Sequence, residues 1–379
     1  MNNALSPLKR YLSDLGYNVD LFVLPQEPDH FKPGADSFEP VDYTLLDWHY
    51  ENFLTYSKQK LQQLLAPYSF IICQGIAPAY IHKAGRKADL FIPYGGDMYR
   101  LPHFKKIRVK GNIKKNIKRF FIARAQKNGI RKAHHILMEE SNPFFEDYLN
   151  ALHPQGERIK LASPQIYIEQ YTNYISKYAA KSVYFDAFSQ ISNKHAFIVF
   201  QHARQMWKDI PDHSYSKGND LLIKAFARLV KQHAGAALIL FEYGNDVNNS
   251  KELIASLGIT DAVYWMPLMP RKEIMMGMGI ADVVVGELTH SYFSYGVVHE
   301  TLAAGKVLMH KRTDELYKDY YTELYPMLHA DSEETAYEKL EWAFQHRNEL
   351  NEMGIRGKNW IRKNVVESVI PKITALFTA

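Results

Sequence analysis

Arg204, Lys217 and Glu300 are the residues whose types and spacing point most directly to chemistry. Arg204 comes just after the apolar run "AFIVFQH", and Lys217 opens the helical pattern "KGNDLLIKAFARLVKQH". Both therefore fall at the carboxyl edge of a sheet, where α/β proteins bind ligands. A guanidinium fork and an ammonium converging there suit a diphosphate, although a pair of surface cations is the plain alternative. Further on, "SYFSYGVVHETLAAGKVLM" spans residues 291–309. Ser294, Tyr295 and Gly296 precede a helix whose first N–H groups are free to face a phosphate. Glu300 is expected in or near the first turn of that helix. It would accept hydrogen bonds from a vicinal diol such as a ribose, or simply complement the helix dipole. A third stretch, "VYWMPLMPRKEI", is a strand followed by a Pro-bounded loop. There Met266 and Pro267 could hold a flat base by backbone contacts, or belong to an ordinary βα loop. Together the three stretches describe a nucleotide-diphosphate site.

The elements that must position these residues alternate short apolar runs with helical patterns, which argues for βαβ units and parallel sheets. In the first half the strand candidates are "YNVDLFVL", "SFIICQG", "ADLFIPY" and "HHILMEE", and helix-like segments include "LLDWHYENFLTYSKQKLQQLL" and "NIKKNIKRFFIARAQKN". In the second half the strands are "AFIVFQH", "AALILFEYG", "AVYWM", "ADVVVGE" and "KVLMH". Two doubly wound units in tandem are the economical reading, with a boundary within 165–195. The expected division is residues 1–180, 190–355 and a C-terminal helix, 356–379, that returns to the first domain. The chain begins in "NNALSPLKRYLSDLG", which reads as a helix, so the strand that usually opens such a domain is missing or short.

Composition narrows the classes. The 379 residues are 46% hydrophobic and 23% charged, the balance of a soluble globular protein with room for two domains. The single cysteine, Cys73, forms no internal disulfide and lies in an apolar run, so it reads as core in a reducing cytosol. No metal-ligand spacing, secretory signal or membrane-spanning run is visible, nor a P-loop or Ser-His-Asp pattern. The net charge of +5 is unevenly placed: between Asp97 and Glu139 there is no acidic residue. The basic segment 105–132 there calls for an anionic partner or a solvated face. Read as a helix, it puts Ile113, Ile117, Phe120, Phe121 and Ala125 along one side. That stripe suits either the core or, flanked by cations, an anionic membrane surface.

"HAR…SKGNDLLIKAFARL", "ADVVVGE" and "GVVHETLAAGKVLM" resemble the C-terminal domain of GT-B glycosyltransferases of the family 4 type, the glycosyl transferases group 1. The resemblance covers about 195–365 well and 1–160 loosely. It implies an α/β fold of GT-B type, two Rossmann-like doubly wound domains facing a central cleft. It also implies sugar transfer from a nucleoside-diphosphate sugar to a glycan or lipid-linked acceptor with retention of configuration. In such enzymes an Arg and a Lys grip the diphosphate, matching Arg204 and Lys217, and a Glu binds the ribose, matching Glu300. A second Glu normally lies eight residues earlier; here that position is Tyr292, with Glu287 and His290 nearby. In "FIPYGGDMYR", Gly95 and Asp97 match a His-Gly-x-Asp turn and Tyr94 replaces the His. Tyr94, Gly95 and Gly96 would then face the acceptor, and Asp97 would bind its hydroxyl. No cofactor or metal is implied. The expected setting is cytoplasmic, at the inner membrane face, in cell-surface polysaccharide or glycolipid synthesis. Two alternatives remain: a nucleotide-sugar epimerase of GT-B shape, and a basic nucleic-acid-binding protein, although RNP, KH and zinc-finger signatures are lacking.

Overall fold

Apolar runs of four to six residues between amphipathic helices fold as anticipated into parallel sheets, in a computed structural model that describes residues 4–24, 29, 32–103, 113–139, 143–210 and 215–377. The start of the basic segment, 105–112, lies outside the described residues, as do the side chains of 113–115. The chain divides into two units. One contains residues 2–32, 41–165 and 368–379; the other contains 33–40 and 166–367.

The first unit opens with helix α1 (Leu5–Asp14) and a parallel pair, β1 (Phe22–Val23) and β2 (Thr44–Leu45). Strands β3 (Ile72–Cys73), β4 (Leu90–Phe91), β5 (His135–Leu137) and β6 (Glu157–Ile159) form a parallel sheet in that order. Between them run α2 (Lys58–Leu65), α3 (Ala77–Lys83), α4 (Gly96–Tyr99), α5 (Ile113–Lys132) and α6 (Pro143–Leu152). The helical pattern read over 45–65 shrinks to α2. Ser57 ends the preceding loop by accepting a hydrogen bond from the Lys60 amide, and Trp48 stacks on Tyr80 at 4.7 Å instead of lying on a helix.

On helix α5 the stripe that the sequence left open between core and surface is divided. Ile122, Ala123, Gln126, Gly129 and Ile130 are buried, whereas Ile117 and Phe121 are 37% and 49% exposed. The physical reason is close packing against α3. A Cβ on Gly129 would lie 2.2 Å from the Pro78 carbonyl oxygen, so the bare backbone sets which side faces inward.

The second unit contains α7 (Tyr174–Tyr178), α8 (Phe185–Lys194), α9 (Asn219–Gln232), α10 (Val247–Ser256), α11 (Arg271–Ile280), α12 (Gly296–Ala304), α13 (Glu333–Gln345) and α14 (Arg347–Ile361). Its sheet is built from β7 (Phe197–Phe200), β8 (Ala236–Phe241), β9 (Val263–Met266), β10 (Val283–Val285), β11 (Val307–His310) and β12 (Leu328–His329). All six run parallel in the order β12-β11-β10-β7-β8-β9. Every residue of β7, β8, β10 and β11 is buried, as expected where helices cover both faces. Chain order reverses between β7 and β10, whose register pairs Val199 with Val283. The loops leaving these two strands therefore border the crevice in which such sheets bind ligands. Helix α15 (Ile370–Ala375) rejoins the first unit, where it packs on α1. Among the described residues no helix is long and apolar enough to cross a membrane.

Candidate functional site

At the switch point three loops are stitched together by buried polar groups. Asn219, the first residue of α9, accepts a hydrogen bond from the Met206 amide (2.9 Å) and donates to Gln201 (3.0 Å). Gln201 in turn donates to the Gly286 carbonyl beyond β10 (3.2 Å). The Lys217 amide donates to Met206, and Leu288 donates to the Lys217 carbonyl. Gly218 has φ +69°, and a Cβ there would stand 2.9 Å from that of Leu288. Glycine thus permits both the turn into α9 and the close approach of the next loop. Asp246 anchors the loop after β7 by accepting from the amides of Trp207, Lys208 and Asp209 at 2.7–3.0 Å. Burial raises its pKa, but these donors outweigh that effect and hold it below the ordinary value.

This frame brings Lys217 onto a carboxylate that Arg204 also influences. Lys217 Nζ lies 2.6 Å from Glu287 Oε1 and 5.2 Å from the centre of the Tyr295 ring. Arg204 is exposed, lies over the Tyr243 ring and also acts electrostatically on Glu287. Glu287 is 9% exposed, and its Oε2 has no hydrogen-bond partner among the described residues. Burial pushes its carboxyl up to about 7, against the pull of Lys217 and Arg204. Burial and the neighbouring Glu287 likewise raise the Tyr295 phenol, whose ring meets that of Tyr292 edge-on at 5.6 Å.

Glu300 lies in the second turn of α12 rather than the first, because the helix starts at Gly296. It is 6% exposed, and both oxygens are engaged: Arg271 Nε donates to one at 2.7 Å, and His202 Nε2 lies 2.9 Å from the other. Arg271 also reaches Asp36 at 3.1 Å. Burial raises the Glu300 pKa, but Arg271 and His202 overcome it and hold the carboxyl well below its usual range. One approach stays open. A Cβ on Gly296 would sit 3.4 Å from Glu300 Oε1, so glycine leaves that oxygen uncovered by a side chain. Ser294 lies between Tyr292 and Gly296 on the same loop. The loop is pinned from below by Ser291, which hydrogen-bonds His310 Nδ1 (2.7 Å), while Tyr325 bonds Nε2 (3.1 Å). Burial pushes His310 down to about 3 and His299 down to about 4, so both imidazoles are neutral at pH 7.

Met266 and Pro267 leave β9, two strands beyond β7, or about 10 Å away at the usual strand spacing. Met266 is buried, with its carbonyl accepting from the Glu242 amide, and Pro267 is exposed. What the Pro-bounded loop delivers to Glu300 is Arg271.

The remaining candidates lie in the other unit. Asp97 is buried and accepts hydrogen bonds from the amides of Gly75 (3.0 Å), Tyr94 (3.2 Å) and Gly95 (2.9 Å). Its oxygens close two turns. Burial pushes it up to about 7 even against these donors. Gly95 has φ +143°, a conformation side chains rarely adopt, and Tyr94 stands 3.5 Å from where a Cβ on Gly75 would be. Gly96 starts α4.

Arg271 and His202, the partners of Glu300, and Asp36, which faces Arg271, carry no signal of that role in the sequence, and Glu287 stands there only as a neighbour of Tyr292. The cue for Glu287 was its place directly after an apolar strand, the same cue that singled out Arg204. Among the described residues no group of three or more His, Cys, Asp or Glu is placed to hold a metal ion.

Residues 211–360 match the family Glycosyl transferases group 1. No curated protein sequence matches the chain. Among solved structures, Anabaena HepE in complex with UDP-glucose aligns at 13% identity and a TM-score of 0.56, covering 89% of this chain and 86% of its own. Sucrose-phosphate synthase from Thermosynechococcus elongatus aligns at 14% identity and 0.55, covering 97% and 90%. An α,α-trehalose 6-phosphate synthase from Burkholderia multivorans aligns at 12% identity and 0.53, covering 87% and 76%. At these identities the likeness is one of fold. Residues 211–360 thus match a glycosyl transferases group 1 domain, in a chain of GT-B fold.

Proposed function

We propose that the protein moves a sugar from a nucleoside-diphosphate sugar to an acceptor hydroxyl, with retention of anomeric configuration. The observation that carries this reading is the ion pair of Lys217 with buried Glu287, with Arg204 on the adjoining loop acting on the same carboxylate, at the point where strand order reverses. Two cations held this way match the two charges of a diphosphate diester. The N-terminus of α12 adds a partial positive charge from Gly296 onward. As the glycosidic bond breaks, the leaving diphosphate gains one negative charge. Prepositioned donors stabilise that charge by about 2.7–4 kcal/mol each. Glu300 accepts from the ribose diol across Gly296: a carboxylate has about four lone-pair sites, and protein groups fill two. The likeness to HepE, whose structure holds UDP-glucose, supports a nucleotide-sugar donor. These side-chain cations can act on the diphosphate without a metal ion.

The test is transfer kinetics with UDP-, GDP- and ADP-linked sugars. Arg204→Ala and Lys217→Ala should each lower kcat/KM by about 10²–10³. Wild-type values in both variants would rule out the diphosphate assignment. We place the acceptor among glycans or lipid-linked glycans, and the enzyme at the cytoplasmic face of a membrane. The exposed Ile117 and Phe121 among the cations of α5 support that setting.

A further inference from the structure

Glu287 is the group whose surroundings go furthest beyond this reading. Lys217 Nζ holds one of its oxygens at 2.6 Å, while the other is buried without a partner among the described residues. The groups facing it come from every neighbouring loop. Lys217 precedes α9, Arg204 follows β7, and Tyr295, with Tyr292 beside it, precedes α12. Beyond β11, the Lys311 amide donates to the Glu287 carbonyl, and His290 lies three residues along the same loop. No further cation among these pairs with the carboxylate. With Glu287 ionised, the empty cradle carries two positive charges and one negative. A diphosphate diester adds two negative charges, leaving an excess of one beside a carboxylate oxygen that has no donor. Protonation removes that excess and turns the orphaned oxygen into a hydrogen-bond donor.

We propose that Glu287 stands in for the diphosphate in the empty cradle and takes one proton from solvent when the nucleotide sugar binds. The new O–H bond forms on the Glu287 carboxylate, and Lys217 passes from Glu287 to the phosphate oxygens. The neutral acid then donates to the diphosphate, so donor binding consumes a proton. This rests on the cradle being a diphosphate site. Burial already brings the Glu287 carboxyl to about 7, so the uptake falls within an accessible pH range.

Calorimetric titrations of the full chain with UDP-glucose, GDP-mannose and ADP-glucose test it, because their diphosphate diesters do not titrate between pH 6 and 9. At pH 8, in two buffers of different ionisation enthalpy, the binding sugar should take up close to one proton. Its Kd should rise about tenfold per pH unit above about 7. Glu287→Gln, a permanently neutral donor, should abolish both effects while keeping or tightening the pH 8 affinity. Equal proton uptake in the variant, or a pH-independent Kd in the wild type, would overturn the proposal and leave the cradle reading intact. The wild-type pH series alone decides the matter if the variant does not fold. Absence of binding by all three sugars would overturn the cradle reading, and this proposal with it.

Discussion

Glu300 shows how burial changes the meaning of a single acid. Near an exposed helix start it would contribute about 0.3–1 kcal/mol through the dipole. Here it is buried against Arg271, which also faces Asp36, so removing the guanidinium strands two carboxylates. Arg271→Met is therefore expected to cost about 3–5 kcal/mol. The pH dependence should change with it. A carboxylate whose folded pKa is depressed contributes stability that is present above its unfolded value, about 4.3. That contribution is lost as pH falls toward the folded value. Without Arg271, burial dominates and the same groups favour protonation. Denaturant melts at pH 7 and pH 4 should show the gap between wild type and variant narrowing in acid; a constant gap would contradict the ionic account. Glu300 itself was legible, because an acid between a small-residue turn and an apolar strand stands out. Its partners were not. Asp36 lies 235 residues from Arg271, and neither has a local pattern that announces an ion pair.

Elements were legible where periodicity and length agreed, as in the apolar runs that became β7, β8, β10 and β11. Faces were less so. On α5 the stripe of Ile117 and Phe121 suited a core as well as a membrane surface, and the inward side is set by Gly129 against Pro78. Ile117, Phe121 and Arg124 follow one another at helical spacing, all exposed, with Lys118 and Arg119 adjacent. An apolar strip between cations suits an anionic bilayer, where each basic residue contributes about 1 kcal/mol. Co-sedimentation with vesicles should rise with anionic lipid content and collapse in high salt. It should also fall when Lys118 and Arg119 are changed to Gln, and further when Phe121 is changed to Ser. Equal binding to neutral and anionic vesicles would make the strip a feature of the scaffold alone.

For the whole molecule, the tandem of parallel sheets followed from alternating patterns, but the place of residues 33–40 did not. Residues 33–40 belong with 166–367, and 368–379 belong with the first unit. No local pattern marks an eight-residue segment as belonging to a sheet that begins far downstream. A fragment of 166–367 lacks Asp36, and with it one of Arg271's two carboxylate partners. Joining 33–40 to that fragment through a flexible Gly/Ser linker should raise its unfolding free energy by about 3 kcal/mol. Equal denaturation midpoints for the two fragments would show that the segment contributes nothing.

The same path sets a timetable for synthesis. At about 5–20 residues per second, Arg271 emerges on the order of 10–50 s after Asp36. Throughout that interval Asp36 must stay hydrated, since its guanidinium does not yet exist. In the other unit, Tyr17 and Phe70 wait longer still for Phe377, against whose ring they finally pack at 5.0 and 4.7 Å. Each unit thus holds an early segment in reserve for a late one, and neither can close in the order in which it is made.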